Sequence, residues 1–335
     1  KALPSYEEIP IACRMDEAVQ SEYKRIENAL VQVLRSDRRA AQKILSAYLN
    51  LLTAYPDQPY DQKPIFYPDS DVPIVEPENI GDADTLEEKE QRTLEIVRAA
   101  IQNGERALIY TSWVRTDSQQ KLKKLLTDEC YRTEILTDKI KTTDREDWMQ
   151  KKLAAGMQVL IVNPSLVETG LDLNAFTTLV FYSMGYKLFT LRQASRRSWR
   201  INQKAPAVKV YMLYYEDTMQ QKCLKLMASK LAVAGIIEGT FSEEGLAAMS
   251  DVKDLTSQMA KELAAGIRDN VEEIEAAFKK MAVVNPNRKA AVQPAAKESA
   301  LPASNFAPAA VDDGTRSVQT AASRELYEGL LARTQ

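Results

Sequence analysis

The sequence predicts an α/β protein in which helices flank a parallel β-sheet, with helical appendages before and after it. Two observations predict this fold. Short apolar runs rich in β-branched residues, such as 159–162 and 178–182, have the length and composition of buried parallel strands. From residue 106 onward these runs alternate with helical patterns. Such alternation implies a parallel sheet with right-handed crossovers.

The predicted elements follow one another regularly. We predict strands at 107–111, 132–136, 159–162, 178–182 and 208–214. We predict helices at 117–126, 143–155 and about 218–233, with one more in the basic segment described below. The helix before the first of these strands is predicted to begin at a capping box, Thr85-x-x-Glu88. It is predicted to end at Asn103-Gly104, a typical helix stop.

Composition divides the rest of the chain. Helical patterns occupy 15–34 and 39–54, and clustered prolines then interrupt all periodicity. The Ala-, Pro- and Ser-rich end lacks a core-forming pattern, which is typical of disorder. The predicted divisions are 1–55 (helical), 56–85 (proline-rich linker), 86–240 (sheet domain), 241–282 (C-terminal helices) and 283–335 (disordered tail).

Composition also excludes several functions. The chain has 335 residues, a net charge of −3 and no histidine, so His-based triads and His-containing zinc sites are excluded and no metal site is predicted. Cys13, Cys130 and Cys223 are isolated, which fits a reduced cytoplasm. No apolar run reaches membrane-spanning length and no signal peptide is recognisable, so no membrane partner is expected.

One segment concentrates positive charge. Between Asp172 and Glu216 there is no acidic residue. The basic residues of this acid-free segment are Lys187, Arg192, Arg196, Arg197, Arg200, Lys204 and Lys209. On a helix, Gln193, Arg197 and Arg200 lie at i, i+4 and i+7 and share one face. Clustered guanidinium groups repel one another unless an anion is bound, and they suit phosphate oxygens, so we expect phosphate binding here.

Two motifs around this segment resemble those of a known family. Residues 169–173, TGLDL, resemble motif V of superfamily 2 helicases, and residues 193–203, QASRRSWRINQ, resemble motif VI of the Swi/Snf-type branch. Residues 110–113 occupy the place of motif IV. The chain departs from the commonest pattern at Arg196 and Asn202. The resemblance implies a RecA-like helicase C-terminal domain, with 1–55 containing the end of a first RecA-like domain and a helical connector.

The resemblance also implies roles for individual residues. Arg197 and Arg200 are the expected arginine fingers, which stabilise charge on the transferred phosphoryl group. The residues expected to contact ATP are Gln193, Gly170 and Asp172, with Asp172 accepting from the ribose. The residues expected to contact nucleic acid are Thr111, Ser112, Asn163, Arg192 and Arg196.

Structural roles, without contact to a ligand, are also open for some of these residues. Thr111, Ser112 and Asn163 suit loop caps equally well. The two additional arginines, Arg192 and Arg196, also suit a solvated basic face, and Trp199 suits packing.

No phosphate-binding loop of the form G-x-x-x-x-G-K-[ST] occurs in the sequence. Residues 128–130, Asp-Glu-Cys, follow a predicted helix rather than a strand and are interpreted as a turn. The resemblance therefore implies that ATP and Mg²⁺ are held mainly by a first RecA-like domain that would precede Lys1. The chain is then expected to be the C-terminal motor half of an ATP-dependent helicase or translocase. It is expected to act on DNA rather than RNA and to be inactive as an ATPase alone.

Two other classes of function stay open. A non-catalytic RecA-like module would use the basic segment only to hold nucleic acid or a protein partner. A Rossmann-like nucleotide-dependent enzyme would need a glycine-rich turn after its first strand, but residues 110–117 contain no glycine.

Overall fold

The computed structural model describes residues 3–112, 118–167, 171–183, 194, 197–201, 203 and 205–238. The strands are β1 (Ser5–Cys13), β2 (Ile65–Phe66), β3 (Pro73–Val75), β4 (Ala107–Tyr110), β5 (Thr133–Leu136), β6 (Val159–Val162), β7 (Thr178–Phe181) and β8 (Ala207–Tyr215). The helices are α1 (Glu17–Ser36), α2 (Arg38–Ala54), α3 (Glu88–Gln102), α4 (Ser118–Asp128), α5 (Arg145–Ala154) and α6 (Met219–Glu238). Within these ranges, no helix combines the length and apolar character needed to cross a bilayer.

Six strands form one sheet in the order β1-β8-β7-β4-β6-β5, and all neighbouring strands in it are parallel. Strands β4, β6 and β7 end in register, because Tyr110 lies opposite both Val162 and Phe181. The residues that follow these strands therefore meet at one edge, which is where parallel sheets bind ligands. The predicted α/β class, with a parallel sheet flanked by helices, is confirmed.

Helices cover both faces of the sheet. On one face, α3 and α4 pack through Val97 and Leu122 against strand residues such as Ile109. On the other face, Leu108 and Leu160 belong to a core that also includes residues of α1, α2, α5 and α6. Every residue of β4, β6 and β7 is buried. A sheet covered on both faces needs apolar side chains at every position, which explains the continuous apolar runs.

The N-terminal segment contributes a strand that the sequence does not predict. β1 pairs with β8 from Ser5, opposite Ala207, to Cys13, opposite Tyr215. It is the edge strand of the sheet, a position that tolerates the missing amide proton of Pro10. Residues 5–13 therefore share the sheet of the segment 86–240. The limits of the predicted domains stay predictions.

The start of α3 differs in detail from the prediction. Its capping box consists of Glu87 and Glu90, each of whose side chains accepts the other's backbone N–H. Thr85 instead donates to Asp82, so the predicted Thr85-x-x-Glu88 box is wrong. The predicted end is confirmed, because Gly104 follows the helix with a φ of 74°. The predicted C-terminal helices and tail, 241–335, lie outside the described residues.

Candidate functional site

Polar residues that follow β4, β6 and β7 meet at the carboxyl edge of the sheet. Thr111 and Ser112 follow β4, and Asn163 follows β6. The Asn163 Nδ2 donates to the carbonyl oxygen of Ser112 at 3.1 Å. The Ser112 Oγ donates to the carbonyl oxygen of Ser183, beyond β7, at 3.4 Å. The structure thus brings together the three loop residues predicted to contact nucleic acid.

All three of these side chains have partners within the protein, and those of Asn163 and Thr111 define structural roles. The Asn163 Oδ1 accepts from the backbone N–H of Ser165 at 2.9 Å and from its Oγ at 2.6 Å, capping the short 3-10 helix Pro164–Leu166. The Thr111 Oγ1 is buried and accepts from Gln119 Nε2 at 2.7 Å. A capping role is therefore established for Asn163, and a packing role for Thr111. Contact of Thr111, Ser112 and Asn163 with nucleic acid stays a prediction.

The loop that contains Asp172 is held by α5. The backbone N–H of Asp172 donates to Glu146 Oε2 at 3.2 Å, and Asp172 Oδ1 accepts from the Asn174 N–H at 3.0 Å. Leu171 and Leu173, on either side, are buried. These contacts fix the loop while its carboxylate remains partly exposed. The predicted contact of Asp172 with the ribose stays a prediction.

Arg197 and Arg200 lie in a turn, which we call the arginine turn (197–200). The backbone N–H of Arg197 donates to the Ala194 carbonyl oxygen at 3.2 Å, a one-turn contact, and residues 198–200 are not helical. The prediction that Gln193, Arg197 and Arg200 share a helical face is therefore wrong for the two arginines. Both arginines are partly exposed. Within the described part of the chain, Arg200 forms no salt bridge with a carboxylate.

Two buried side chains explain why the helix does not continue. The Ser198 Oγ donates to the Leu173 carbonyl oxygen at 3.0 Å. Gln203 Nε2 donates to the carbonyl oxygens of Asn174, at 2.9 Å, and Ser198, at 3.0 Å. These bonds attach the arginine turn to the Asp172 loop, and tertiary contacts of this kind override a helical preference. The sequence shows Gln203 only as the end of a motif and gives no signal for Ser198.

Aromatic residues support the same turn. The Tyr110 hydroxyl donates to the Ala194 carbonyl oxygen at 3.0 Å, and its ring stacks on Phe181 with centroids 4.7 Å apart. Burial raises the pKa of Tyr110, while the positive charge of Arg197 offsets part of that rise. Trp199 packs against the core, as predicted, and its Nε1 donates to the Pro4 carbonyl oxygen at 2.8 Å.

A second polar cluster lies near the carboxyl ends of β7 and β8, and no sequence pattern predicts it. We call it the Lys89 cluster; it comprises Lys89, Asp57 and Gln220 with the rings of Tyr182 and Tyr215. Lys89 Nζ lies 2.5 Å from Asp57 Oδ1 and 2.8 Å from Gln220 Oε1, and 5.3 and 5.0 Å from the two ring centroids. Burial raises the pKa of Asp57, and the charge of Lys89 offsets part of that rise.

Four predicted site residues fall outside the described residues: Gly170, Arg192, Gln193 and Arg196. Their predicted contacts with ATP and nucleic acid stay predictions. What the structure does bring together is the arginine turn with the Asp172 loop and, separately, the strand end 111–112 with Asn163.

The sequence of the sheet domain matches one family. Residues 88–202 match the helicase conserved C-terminal domain. This range covers α3 to the arginine turn, and so includes the strand ends and the Asp172 loop. Comparison with curated proteins gives no match.

Solved structures share the fold. The C-terminal part of the Fun30 ATPase domain is 12% identical with a TM-score of 0.56, covering 79% of this chain and 100% of that one. A Sulfolobus solfataricus SWI2/SNF2 ATPase core in complex with dsDNA is 19% identical with a TM-score of 0.56, covering 79% and 51%. The C-terminal domain of a SWI2/SNF2 ATPase from the same organism is 17% identical with a TM-score of 0.52, covering 79% and 100%.

These likenesses establish the RecA-like fold, and the chain spans about half the length of the complete ATPase core. The family match confirms the resemblance of residues 88–202 to a helicase C-terminal domain, and the solved structures that share the fold include domains of SWI2/SNF2 ATPases.

Proposed function

Since residues 88–202 belong to the helicase conserved C-terminal domain family, we propose that the chain is the C-terminal motor half of an ATP-dependent DNA helicase or translocase. The observation that carries this proposal is the arginine turn. Two partly exposed arginines lie in the connection from β7 to β8, and buried bonds from Ser198 and Gln203 hold their turn against residues 173–174. No acidic residue lies between Asp172 and Glu216 in the sequence, and guanidinium groups are well suited to phosphate oxygens.

The chemistry that this arrangement suits is phosphoryl transfer. In its transition state, negative charge spreads over the oxygens of the transferred group. Guanidinium groups held in place before the reaction stabilise that charge without reorganisation. Arg197 and Arg200 would supply these groups as arginine fingers. Gln193, Gly170 and Asp172 would contact ATP, with Asp172 accepting from the ribose.

The other half of the site would come from the first RecA-like domain of the motor. The sequence contains no glycine-rich phosphate loop, and the chain spans about half of the solved ATPase core. The first RecA-like domain would hold the triphosphate and Mg²⁺, with the arginine turn facing it across a cleft. ATP would then be hydrolysed only when both halves are present.

We propose that DNA is the nucleic acid on which the motor acts. The S. solfataricus ATPase core of the same fold was solved with dsDNA. Here Thr111, Ser112 and Asn163 lie together at the carboxyl edge of the sheet, and Arg192 and Arg196 add positive charge to the sequence segment that contains Arg197 and Arg200. Contacts from such residues to phosphates release counterions and bind DNA regardless of sequence.

The experiment that tests the proposal replaces the arginines in the complete protein, which includes the nucleotide-binding domain. We expect Arg197→Ala and Arg200→Ala each to lower the kcat of DNA-stimulated ATP hydrolysis by about three orders of magnitude. ATP binding should weaken far less, because the arginines act mainly on charge that develops in the transition state. Lysine at either position should rescue poorly, since it lacks the planar guanidinium fork.

Arg132→Ala is the matched control. Arg132 precedes β5, the edge strand farthest from β1, against whose N-terminal end the arginine turn is anchored, so its loss should leave turnover unchanged. Near-normal turnover in both Arg197→Ala and Arg200→Ala would overturn the assignment. The basic segment would then be only a nucleic-acid or partner surface, as in the non-catalytic alternative.

A further inference from the structure

The two residues between the arginines are both anchored, but to different parts of the chain. Ser198 binds the Asp172 loop through its Oγ, inside the matched domain. Trp199 instead reaches the N-terminal segment, where its Nε1 donates to the Pro4 carbonyl oxygen at 2.8 Å. Its ring also lies against Tyr6, with centroids 5.0 Å apart and planes inclined at 40°. The arginine turn is therefore held on its second side by residues that precede the matched domain.

The N-terminal partner of Trp199 is itself firmly fixed. The Ser5 N–H donates to the Pro206 carbonyl oxygen at 3.0 Å, directly before β1 pairs with β8. Tyr6 is buried, and its hydroxyl donates to Glu8 Oε1 at 2.8 Å. Pro4 and Tyr6 thus form a rigid support, and the indole N–H bond sets the position of Trp199 on it.

We propose that Trp199 is a positioning residue: it makes the placement of Arg197 and Arg200 depend on the N-terminal strand β1. This inference rests on the proposed function, because it concerns the same two arginines. Trp199 lies two residues from Arg197 and next to Arg200, so a shift of its backbone moves both guanidinium groups. A misplacement of about 1 Å in a catalytic group can lower a rate by about a hundredfold. The strand that leads into α1 thereby becomes part of the support of the catalytic site.

The test uses Trp199→Phe in the complete protein. Phenylalanine keeps a ring against Tyr6 and removes the N–H donor to Pro4. We expect kcat for DNA-stimulated ATP hydrolysis to fall about tenfold, because one net hydrogen bond and the placement that depends on it are lost. The KM for ATP and the thermal unfolding midpoint should stay close to those of the unmodified protein. Trp199→Ala, which removes the ring too, should lower kcat further.

Trp148→Phe is the matched control. Trp148 lies on α5, packs against the same core and has its ring 5.9 Å from Lys152 Nζ, but it has no part in the arginine turn. The Trp148→Phe variant should leave kcat unchanged.

Arg200→Ala is assayed in parallel to separate the two proposals. If Arg200→Ala abolishes turnover while Trp199→Phe keeps normal kcat, the positioning role is wrong and the proposed function stands. If Arg200→Ala keeps normal turnover and Arg197→Ala does too, the proposed function itself fails. A fall in the unfolding midpoint of Trp199→Phe that accounts for the lost activity would also overturn the positioning role.

Discussion

The arginine turn and the Lys89 cluster both place positive charge beside the sheet, but they do so in opposite ways. Lys89 is fully buried, and its ammonium group contacts the Asp57 carboxylate and the Gln220 amide. Arg197 and Arg200 are partly exposed, and the side chains of Ser198 and Trp199 between them hold their turn. A buried charge pair suits stability and position, whereas partly exposed charged groups suit a ligand.

The Lys89 cluster also joins distant parts of the chain. Asp57 follows α2, Lys89 lies in the first turn of α3, and Gln220 lies in the first turn of α6. The Gln220 Nε2 donates both to Asp57 Oδ1, at 2.9 Å, and to the Thr53 carbonyl oxygen, at 2.8 Å. The cluster therefore ties the N-terminal helices to the sheet domain through fully buried polar contacts.

The largest effect on stability is expected when the positive charge is removed from the Lys89 cluster. Lys89→Met should lower the free energy of unfolding by about 3–5 kcal/mol, because the Asp57 carboxylate is left buried without its cation. Urea denaturation of the purified chain measures this. Replacing both partners, as Lys89→Met with Asp57→Leu, should recover much of the loss.

The control is Lys43→Met, which breaks the exposed pair of Lys43 and Asp69 at 2.9 Å. Its cost should be about 0–1 kcal/mol, as is usual for surface pairs. Equal costs for Lys43→Met and Lys89→Met would remove the contrast between an exposed and a buried charge pair.

A smaller, pH-dependent effect is expected at Glu87, the N-cap of α3. Burial, followed by the charges of Asp16 and Glu90, raises the pKa of Glu87 from 4.5 to about 7. The folded state then binds more protons than the unfolded state between these values. The contribution of Glu87 to stability is therefore most favourable below about pH 4.5, is lost as the pH rises to about 7, and is constant above that.

Glu87→Gln tests this, because glutamine keeps an oxygen that can accept from the Glu90 N–H. The variant should gain stability relative to the unmodified protein near pH 8, with a smaller gain or none near pH 4.5. Urea denaturation at the two pH values measures the difference. A difference between the proteins that is the same at both pH values would show that Glu87 does not titrate in this range.

The sheet could be predicted because its strands are buried on both faces and therefore read as continuous apolar runs. β1 could not, because it is an edge strand whose sequence, SYEEIPIAC, mixes glutamates and a proline with apolar residues. The arginines were identifiable from their spacing and acid-free surroundings. Their conformation was not, since Ser198 and Gln203 end the helix through contacts with the Asp172 loop. The pairing of Asp57 with Lys89, which lie far apart in the chain, leaves no local pattern.

The most direct test of the central claim is the steady-state ATP hydrolysis of this chain alone, with saturating ATP and duplex DNA. The chain should bind DNA weakly and with steep salt dependence, so the assay is run at low salt. We expect no turnover above the protein-free background, with DNA-stimulated turnover appearing when the chain is joined to its nucleotide-binding domain. Robust ATP turnover by the chain alone would contradict the assignment of a motor half.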